Sequence, residues 1–399
     1  MLSKLTRDTR LLLVFSAMRN ITDLFLGTFL VSFIVHIAPT QIISVGMYRL
    51  FEYLALIAGY FLIANLCKRY NKTFVFALNE VPKITLLLVL VWLGNGAVDF
   101  IIPLGILYGI GEAMYHLPMS TMISEKTNAT TIKFYMGAKT SINYTIRLVV
   151  PVVFGFFIDT GSFVQVANIL LILSVLELGL CFLLTPSRHR CKRPFDIVGF
   201  VRCMMRFPVI RRLFLMELSR GFGVSMLGTV VTMYTIYMFK TDLNLGILTT
   251  IFSVFSIVAS WVLGRYVRVQ NYVRVLVVCL VMIAVGMGLF VFCATPITFL
   301  LYNFIYAVPV ALLDQICGFN TYRLSNSRCV TSDYRVEYLV FRELLLFLGR
   351  WISCVVLLYI GVFGGYYWLR WYLCFVGVAT VLTCVFAMRL LPRKTHACC

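Results

Sequence analysis

The sequence predicts an all-α integral membrane protein, with twelve transmembrane helices in two pseudo-symmetric six-helix bundles. Three observations predict it. The 399 residues are 61% hydrophobic and only 13% charged, whereas soluble domains run at about 45–50% apolar and about 25% charged. The apolar residues gather in runs of about 20, the length that crosses a bilayer as a helix. The basic residues sit between the runs with a strong side-to-side bias. Lipid cannot satisfy backbone polar groups, so only a helix bundle or a closed barrel can span it. The runs lack the alternation of barrel strands, which leaves the bundle.

Breaks at charge clusters, Pro, Gly and Asn divide the chain into twelve spans. Spans 1 to 6 cover roughly 11–37, 41–66, 74–95, 100–123, 134–158 and 163–185, and spans 7 to 12 roughly 213–239, 244–266, 272–294, 297–321, 336–361 and 366–391. The first run is too long for the apolar region of a removable signal, so it is read as the first span. Residues 1–187 are expected to form one bundle, 188–212 a linker and 213–399 the second bundle. Residues 195–207 of the linker mix Phe, Ile, Val and Met with Arg202 and Arg206. They read either as an amphipathic helix on the inner leaflet or as a solvated loop.

Sidedness follows from the bases. With a cytoplasmic amino terminus, and with Arg265, Arg274, Arg370 and Arg389 at span ends counted in the adjacent segments, the cytoplasmic segments hold 25 Lys and Arg, the external ones only Lys240 and Arg370, and eight lie inside spans. Short cytoplasmic loops carry such an excess, so both termini and the linker are expected in the cytoplasm. The short loops point to a bacterial cytoplasmic (inner) membrane; a monomer is expected. The net charge of +19 therefore orients the chain in its bilayer, and no nucleic-acid partner is expected.

The halves repeat. Arg19, Gly27 and Thr28 recur as Arg220, Gly228 and Thr229; Lys139 and Arg147 recur as Arg342 and Arg350; Ala64, Lys68 and Asn71 recur as Gly264, Arg268 and Asn271. The offsets are 201, 203 and 200. Six spans per half gives both halves one orientation, a known transporter repeat type with its axis along the membrane normal.

The loop after span 2 reads Ala64-Asn65-Leu66-Cys67-Lys68-Arg69-Tyr70-Asn71-Lys72-Thr73. Span 4 carries Gly109-Ile110-Gly111-Glu112-Ala113-Met114-Tyr115-His116-Leu117-Pro118, and span 5 carries Pro151-Val152-Val153-Phe154-Gly155. With the duplicated six-span plan, these stretches resemble the major facilitator superfamily across essentially the whole chain. The resemblance implies a gating loop at Arg69 and Lys72, with Arg268 its counterpart in the second half. Asn71 replaces the usual Gly and can tolerate a left-handed turn. Lys68 replaces the usual acid, and Gly105 stands where a base is usual four residues before Gly109. The Pro151–Gly155 fragment is similar to part of a drug-antiporter pattern.

Charges at mid-membrane cost about 2.5–3.5 kcal/mol each on insertion scales, so those inside spans are expected to pair or to line a wet cavity. Lys139, Asn143 and Arg147, spaced by four, share one face of span 5. Arg342 and Arg350 mark a comparable face of span 11. With Arg49 they form the candidate substrate grip; the alternative is a structural role tying the halves together. Glu52 lies three residues from Arg49 on one face of span 2. Glu112 lies four from His116 in span 4. Isolated buried carboxylates can carry protons near neutral pH, so Glu52 and Glu112 are the candidate proton carriers. The structural alternative pairs Glu52 with Arg49, and Glu112 with Lys139 or Arg147. Arg19 with Asp23, and Glu217 with Arg220, read as local ion pairs. Tyr48, Tyr53, Tyr108, Tyr115, Tyr144 and Tyr234 read as packing or interface residues more than as ligand contacts.

These features point to a secondary transporter working by alternating access, coupled to a proton or other ion. Proton-coupled export of an amphiphilic small organic molecule, as by an antiporter, is the first reading. Uptake or exchange of an organic anion held by the cations of spans 5 and 11 is the second, and a non-transporting receptor or scaffold the third. An enzyme is not expected. His36, His116, His189 and His396 lie far apart, and no phosphate-binding loop is present. None of the 13 cysteines forms a CxxC pair, so no cofactor or metal is expected. Cys191, and Cys398 and Cys399 beside His396, read as reduced thiols of polar segments.

Overall fold

The structure, a computed structural model, describes residues 6–126, 131–186, 195–293, 295–325 and 335–391. His189, Cys191, His396, Cys398 and Cys399 lie outside the described residues, as do the side chains of Lys68 and Arg69. Every regular element among the described residues is helical.

The helices are α1 (Arg7–Leu24), α2 (Leu30–Ile37), α3 (Gln41–Arg69), α4 (Lys72–Ala77), α5 (Glu80–Leu93), α6 (Ile101–Lys126), α7 (Thr131–Thr160) and α8 (Phe163–Cys181). They continue with α9 (Ile197–Met204), α10 (Pro208–Phe222), α11 (Val224–Phe239), α12 (Asp242–Tyr266), α13 (Tyr272–Phe292), α14 (Pro296–Ser325), α15 (Arg335–Phe363) and α16 (Gly365–Leu390). Eleven segments among the described residues are long and apolar enough to cross a membrane. One of them, Lys72–Ile123, runs for 52 residues. As one helix it would reach about 78 Å at 1.5 Å per residue, more than twice the hydrocarbon thickness of about 30 Å. Gly94, at φ 51°, breaks it into α5 and α6 across a 3₁₀ turn at Gly94–Phe100. The described residues therefore hold twelve candidate crossings. Many large apolar side chains, Trp92, Phe182 and Phe292 among them, are exposed, as suits helices solvated by lipid.

Spans 1 and 7 are interrupted near their middles. Span 1 passes from α1 to α2 through a π-helical turn at Phe25–Phe29, a defect that often marks functional positions. Span 7 breaks at Gly223 between α10 and α11. A side chain there would strike Thr380 and the backbone of α16.

The chain divides into two compact units. The first holds Met1–Pro194 and Thr232–Thr250, and the second Phe195–Val231 and Ile251–Cys399. In the first, α3 packs most extensively against α6. Gly105 and Gly109 permit this, because a Cβ at Gly105 would meet the Tyr48 carbonyl oxygen and one at Gly109 the Glu52 carbonyl oxygen. Small residues four apart let membrane helices approach backbone to backbone. The same contact explains why no base occupies position 105, since α3 leaves no room for one. In the second unit α10 packs against α15 and α16. There α9 buries Phe200 and Met204 and exposes Val198, so the linker does contain a short amphipathic helix. Its Asp196 backbone N–H donates to Glu337 at 3.4 Å.

Asn71 departs from expectation. It does not adopt a left-handed turn: at φ −65° and ψ 122° it caps α4, accepting from the Thr73 N–H at 3.1 Å. Asn is among the preferred caps because its short side chain reaches an orphan N–H of the first turn.

Candidate functional site

The polar residues of the first unit form two linked clusters. Arg49 projects from α3 toward the interrupted region of span 1. Its guanidinium donates to Glu52 at 2.7 Å and to the Gly27 carbonyl, inside the π turn, at 2.5 Å. It also lies over the Tyr48 ring, 5.4 Å from the centroid, and Tyr48 stacks on Tyr108 at 6.4 Å. Arg49 and Glu52 are both buried. Arg49 thus ties α3 to the irregular turn, and Glu52 is its counter-ion.

Arg19, only 1% exposed, is the hub of the second cluster. It ion-pairs with Asp23 at 2.8 Å and donates to Glu112 on α6. Its other terminal nitrogen reaches Asn79 at 3.4 Å, and Tyr115 lies beneath it at 5.0 Å. His116 Nε2 lies 2.8 Å from the second Glu112 oxygen. Glu112 therefore finds its cation on α1, and not on Lys139 or Arg147 as the span 5 stripe suggested. The reason is geometric: α1 and α6 pack together here, with Arg19 and Glu112 meeting at their contact. Asn79 carries the network onward by donating to Glu80 at 2.9 Å. Glu80 pairs with Lys83 at 2.5 Å, and Lys83 with Glu177 of α8 at 2.6 Å.

The α7 stripe behaves differently. Asn143 accepts a hydrogen bond from Asn20 of α1. Lys139 is half-buried and Arg147 is exposed. Among the described residues neither makes an ion pair. Two cations flanking a fixed amide thus stand beside the Arg19 cluster without an acid of their own.

The second unit repeats part of this chemistry. Arg220 ion-pairs with Asp314 at 2.9 Å and with Glu217 at 3.2 Å. Thr321 donates to Glu217 at 2.8 Å. Both local pairs expected near the starts of spans 1 and 7 are present. On α15, Arg342 pairs with the adjacent Glu343, and Arg350 lies over the Phe347 ring at 4.7 Å. Arg342 therefore differs from Lys139, its partner in the repeat. Of the expected gating residues, Lys72 is buried in the first turn of α4, and Arg268 is exposed beyond the end of α12, just before a 3₁₀ turn at Val269–Asn271.

A third polar group joins α2, α7 and the start of α12 within the first unit. Asp159 accepts from the backbone N–H groups of Asp242 at 3.0 Å and Leu243 at 2.9 Å. Asp242 accepts from Ser32 at 2.5 Å, with His36 3.4 Å away. Of the six tyrosines read as packing, Tyr48, Tyr53, Tyr108, Tyr115 and Tyr234 are buried and Tyr144 is half-buried. In the second unit an open apolar groove of about 480 Å³ is lined by Phe255, Val258, Val262, Val278 and Leu312, with Arg274 at its edge. Among the described residues no group of three His, Cys, Asp or Glu could hold a metal ion.

Sequence reading missed the Arg19–Glu112 pair and the Glu80–Lys83–Glu177 group. The first had a signal. Arg19 and Arg220 are offset by 201, and Glu112 and Asp314 by 202, so both halves place a base and an acid at matching positions.

A family model for the Major Facilitator Superfamily matches residues 11–327. Among curated proteins, the uncharacterized protein YqgE of Bacillus subtilis (strain 168) is 22% identical over 309 residues, which cover 75% of this chain and 70% of that protein. Among solved structures, a D-xylose-proton symporter superposes with a TM-score of 0.71 at 15% identity, covering 97% of both chains. The nucleoside transporter NupG, in a mutant form, gives 0.70 at 13% identity, covering 96% of this chain and all of that one. A bacterial homologue of the iron transporter ferroportin gives 0.67 at 13%, covering 97% of this chain and all of that one. At these identities the likeness to solved structures is one of fold.

Proposed function

This chain belongs to the Major Facilitator Superfamily, and from that premise we propose that it is a secondary transporter moving a small organic solute with an anionic group by alternating access. One observation carries the reading. Lys139 and Arg147 share a face of α7, and among the described residues neither has an acidic partner. Of the in-span acids of the first unit, Asp23, Glu52 and Glu112 are already engaged by Arg19 and Arg49, and Glu80 and Glu177 by Lys83. A substrate carboxylate or phosphate would supply the missing anion, and Asn143 between the two cations would orient it. Transporters of this kind bind near mid-membrane, where helices are interrupted. The π turn of span 1 with its Arg49 staple provides such an interruption. Both termini face the cytoplasm in this reading, as the distribution of bases favours.

The coupling ion is a proton in this account. Arg19 serves Asp23 and Glu112 together, and His116, half exposed, contacts Glu112. A proton taken up by a carboxyl of this cluster would loosen the hold of Arg19 on it. Export of an amphiphilic molecule is the second reading, favoured by the apolar groove beside Arg274.

The test is ligand-induced thermal stabilisation of the purified protein by a panel of anionic and neutral solutes. Anionic solutes are expected to stabilise it, and the Lys139→Gln, Arg147→Gln double variant to lose that response while remaining folded. Stabilisation by neutral solutes alone, retained in the double variant, would overturn the anionic reading.

A further inference from the structure

The group formed by Glu80 and Lys83 of α5 and Glu177 of α8 sits apart from the proposed substrate residues. All three side chains are buried, with Glu80 and Glu177 fully so. Lys83 Nζ lies 2.5 Å from Glu80 and 2.6 Å from Glu177. One ammonium therefore faces two carboxyl groups. Among the described residues no other cation makes an ion pair with the group: Arg19 acts on Glu177 without touching it, is linked to Glu80 through Asn79, and is itself engaged by Asp23 and Glu112. The other titratable groups that interact with Glu177, Cys181 of α8 and Tyr115 of α6, are neutral as thiol and phenol at pH 7. With both carboxyls ionised, the group would hold a net negative charge shut off from water.

A buried charge without a partner costs far more than neutralising it, so such groups take up a proton. Each carboxyl accepts one hydrogen bond, Glu80 from Asn79 at 2.9 Å and Glu177 from Lys83 at 2.6 Å. Each keeps one buried oxygen without a hydrogen-bond partner, Glu80 Oε2, which ion-pairs with Lys83, and Glu177 Oε1. Hydrogen bonds to a carboxylate favour its ionised form, and here they favour neither carboxyl over the other, so the two share the proton.

We propose that the Glu80–Lys83–Glu177 group is a proton-binding site that holds one proton at neutral pH, shared by the Glu80 and Glu177 carboxyls. The site does not depend on which solute is transported. Asn79 links it to Arg19, so its charge state acts on the hub that holds Glu112.

Counting charges gives a test that needs no transport assay. Infrared spectra of the full chain in lipid vesicles at pH 7 report the C=O stretch of protonated carboxyls. The wild type is expected to show one protonated carboxyl from this group. Glu177→Gln and Glu80→Gln should each lose it, because one carboxylate then remains for one ammonium. Lys83→Gln should double it, because both carboxyls must then be neutral. If one Gln variant fails to fold, the other carries the same test. Carboxyl bands identical in the wild type and a folded Gln variant would overturn the proposal. So would an unchanged band in a folded Lys83→Gln protein.

Discussion

Arg220 of α10 ion-pairs with Asp314 of α14 at 2.9 Å. The matching residues of the first unit, Arg19 and Glu112, make the same link between α1 and α6. Each unit thus fastens the helix of its first span to that of its fourth by one arginine and one acid. Each arginine also holds a second acid on its own helix, Asp23 four residues on and Glu217 three residues back. The pairs differ in exposure: Arg19 is 1% exposed, whereas the Asp314 side chain is 45% exposed.

That difference sets an order of stability. Removing one partner of a buried pair costs about 3–5 kcal/mol, because the other charge is stranded. Arg19→Gln should approach that loss, and Arg220→Gln should lose less because water reaches Asp314. Thermal unfolding of the two variants in detergent compares them directly. Equal losses would show that burial does not set the strength of the pairs.

The α3–α6 contact makes a second prediction. Gly109 lies against the Glu52 backbone, and overpacking a filled contact costs about 1–3 kcal/mol or more. Gly109→Leu should lower the unfolding temperature and disturb the Arg49–Glu52 pair, while Gly27→Ala, in open space, should be tolerated. A Gly109→Leu protein as stable as the wild type would contradict the packing described.

Asp159 gives a third. Its carboxylate takes two N–H groups at the start of α12, the role of a helix cap supplied from another helix. Loss of a cap costs about 0.5–2 kcal/mol. Asp159→Ala should raise amide hydrogen exchange at Asp242 and Leu243, and Asp159→Asn, which keeps an acceptor oxygen, should raise it less. Unaltered exchange in Asp159→Ala would remove Asp159 from this role.

The crossings were legible because hydropathy is a local property. Each predicted span falls on one helix or, for spans 1, 3 and 7, on two in succession, with ends a few residues off where capping extends it, as Thr6 does for α1 by accepting from the Thr9 N–H. The Arg49–Glu52 pair was legible for the same reason, being three residues apart on one helix. The Arg19–Glu112 pair was not, because its members lie 93 residues apart on different helices and only the packing of α1 on α6 joins them. The π turn at Phe25–Phe29 also left no local mark, since Phe, Leu, Gly and Thr there fit an ordinary apolar helix. Lys83 and Glu177 were hidden likewise, one in span 3 and the other in span 6.

Solute exchange in vesicles, with and without an imposed proton gradient, tests the central claim most directly. An organic anion should be carried by the wild type at a rate that follows the gradient. The Lys139→Gln, Arg147→Gln variant should need about 10- to 100-fold more solute for the same rate, the loss of charge-assisted hydrogen bonds worth about 1.5–3 kcal/mol. Anion transport equal in the wild type and the folded variant, or carriage of neutral solutes alone, would contradict the account.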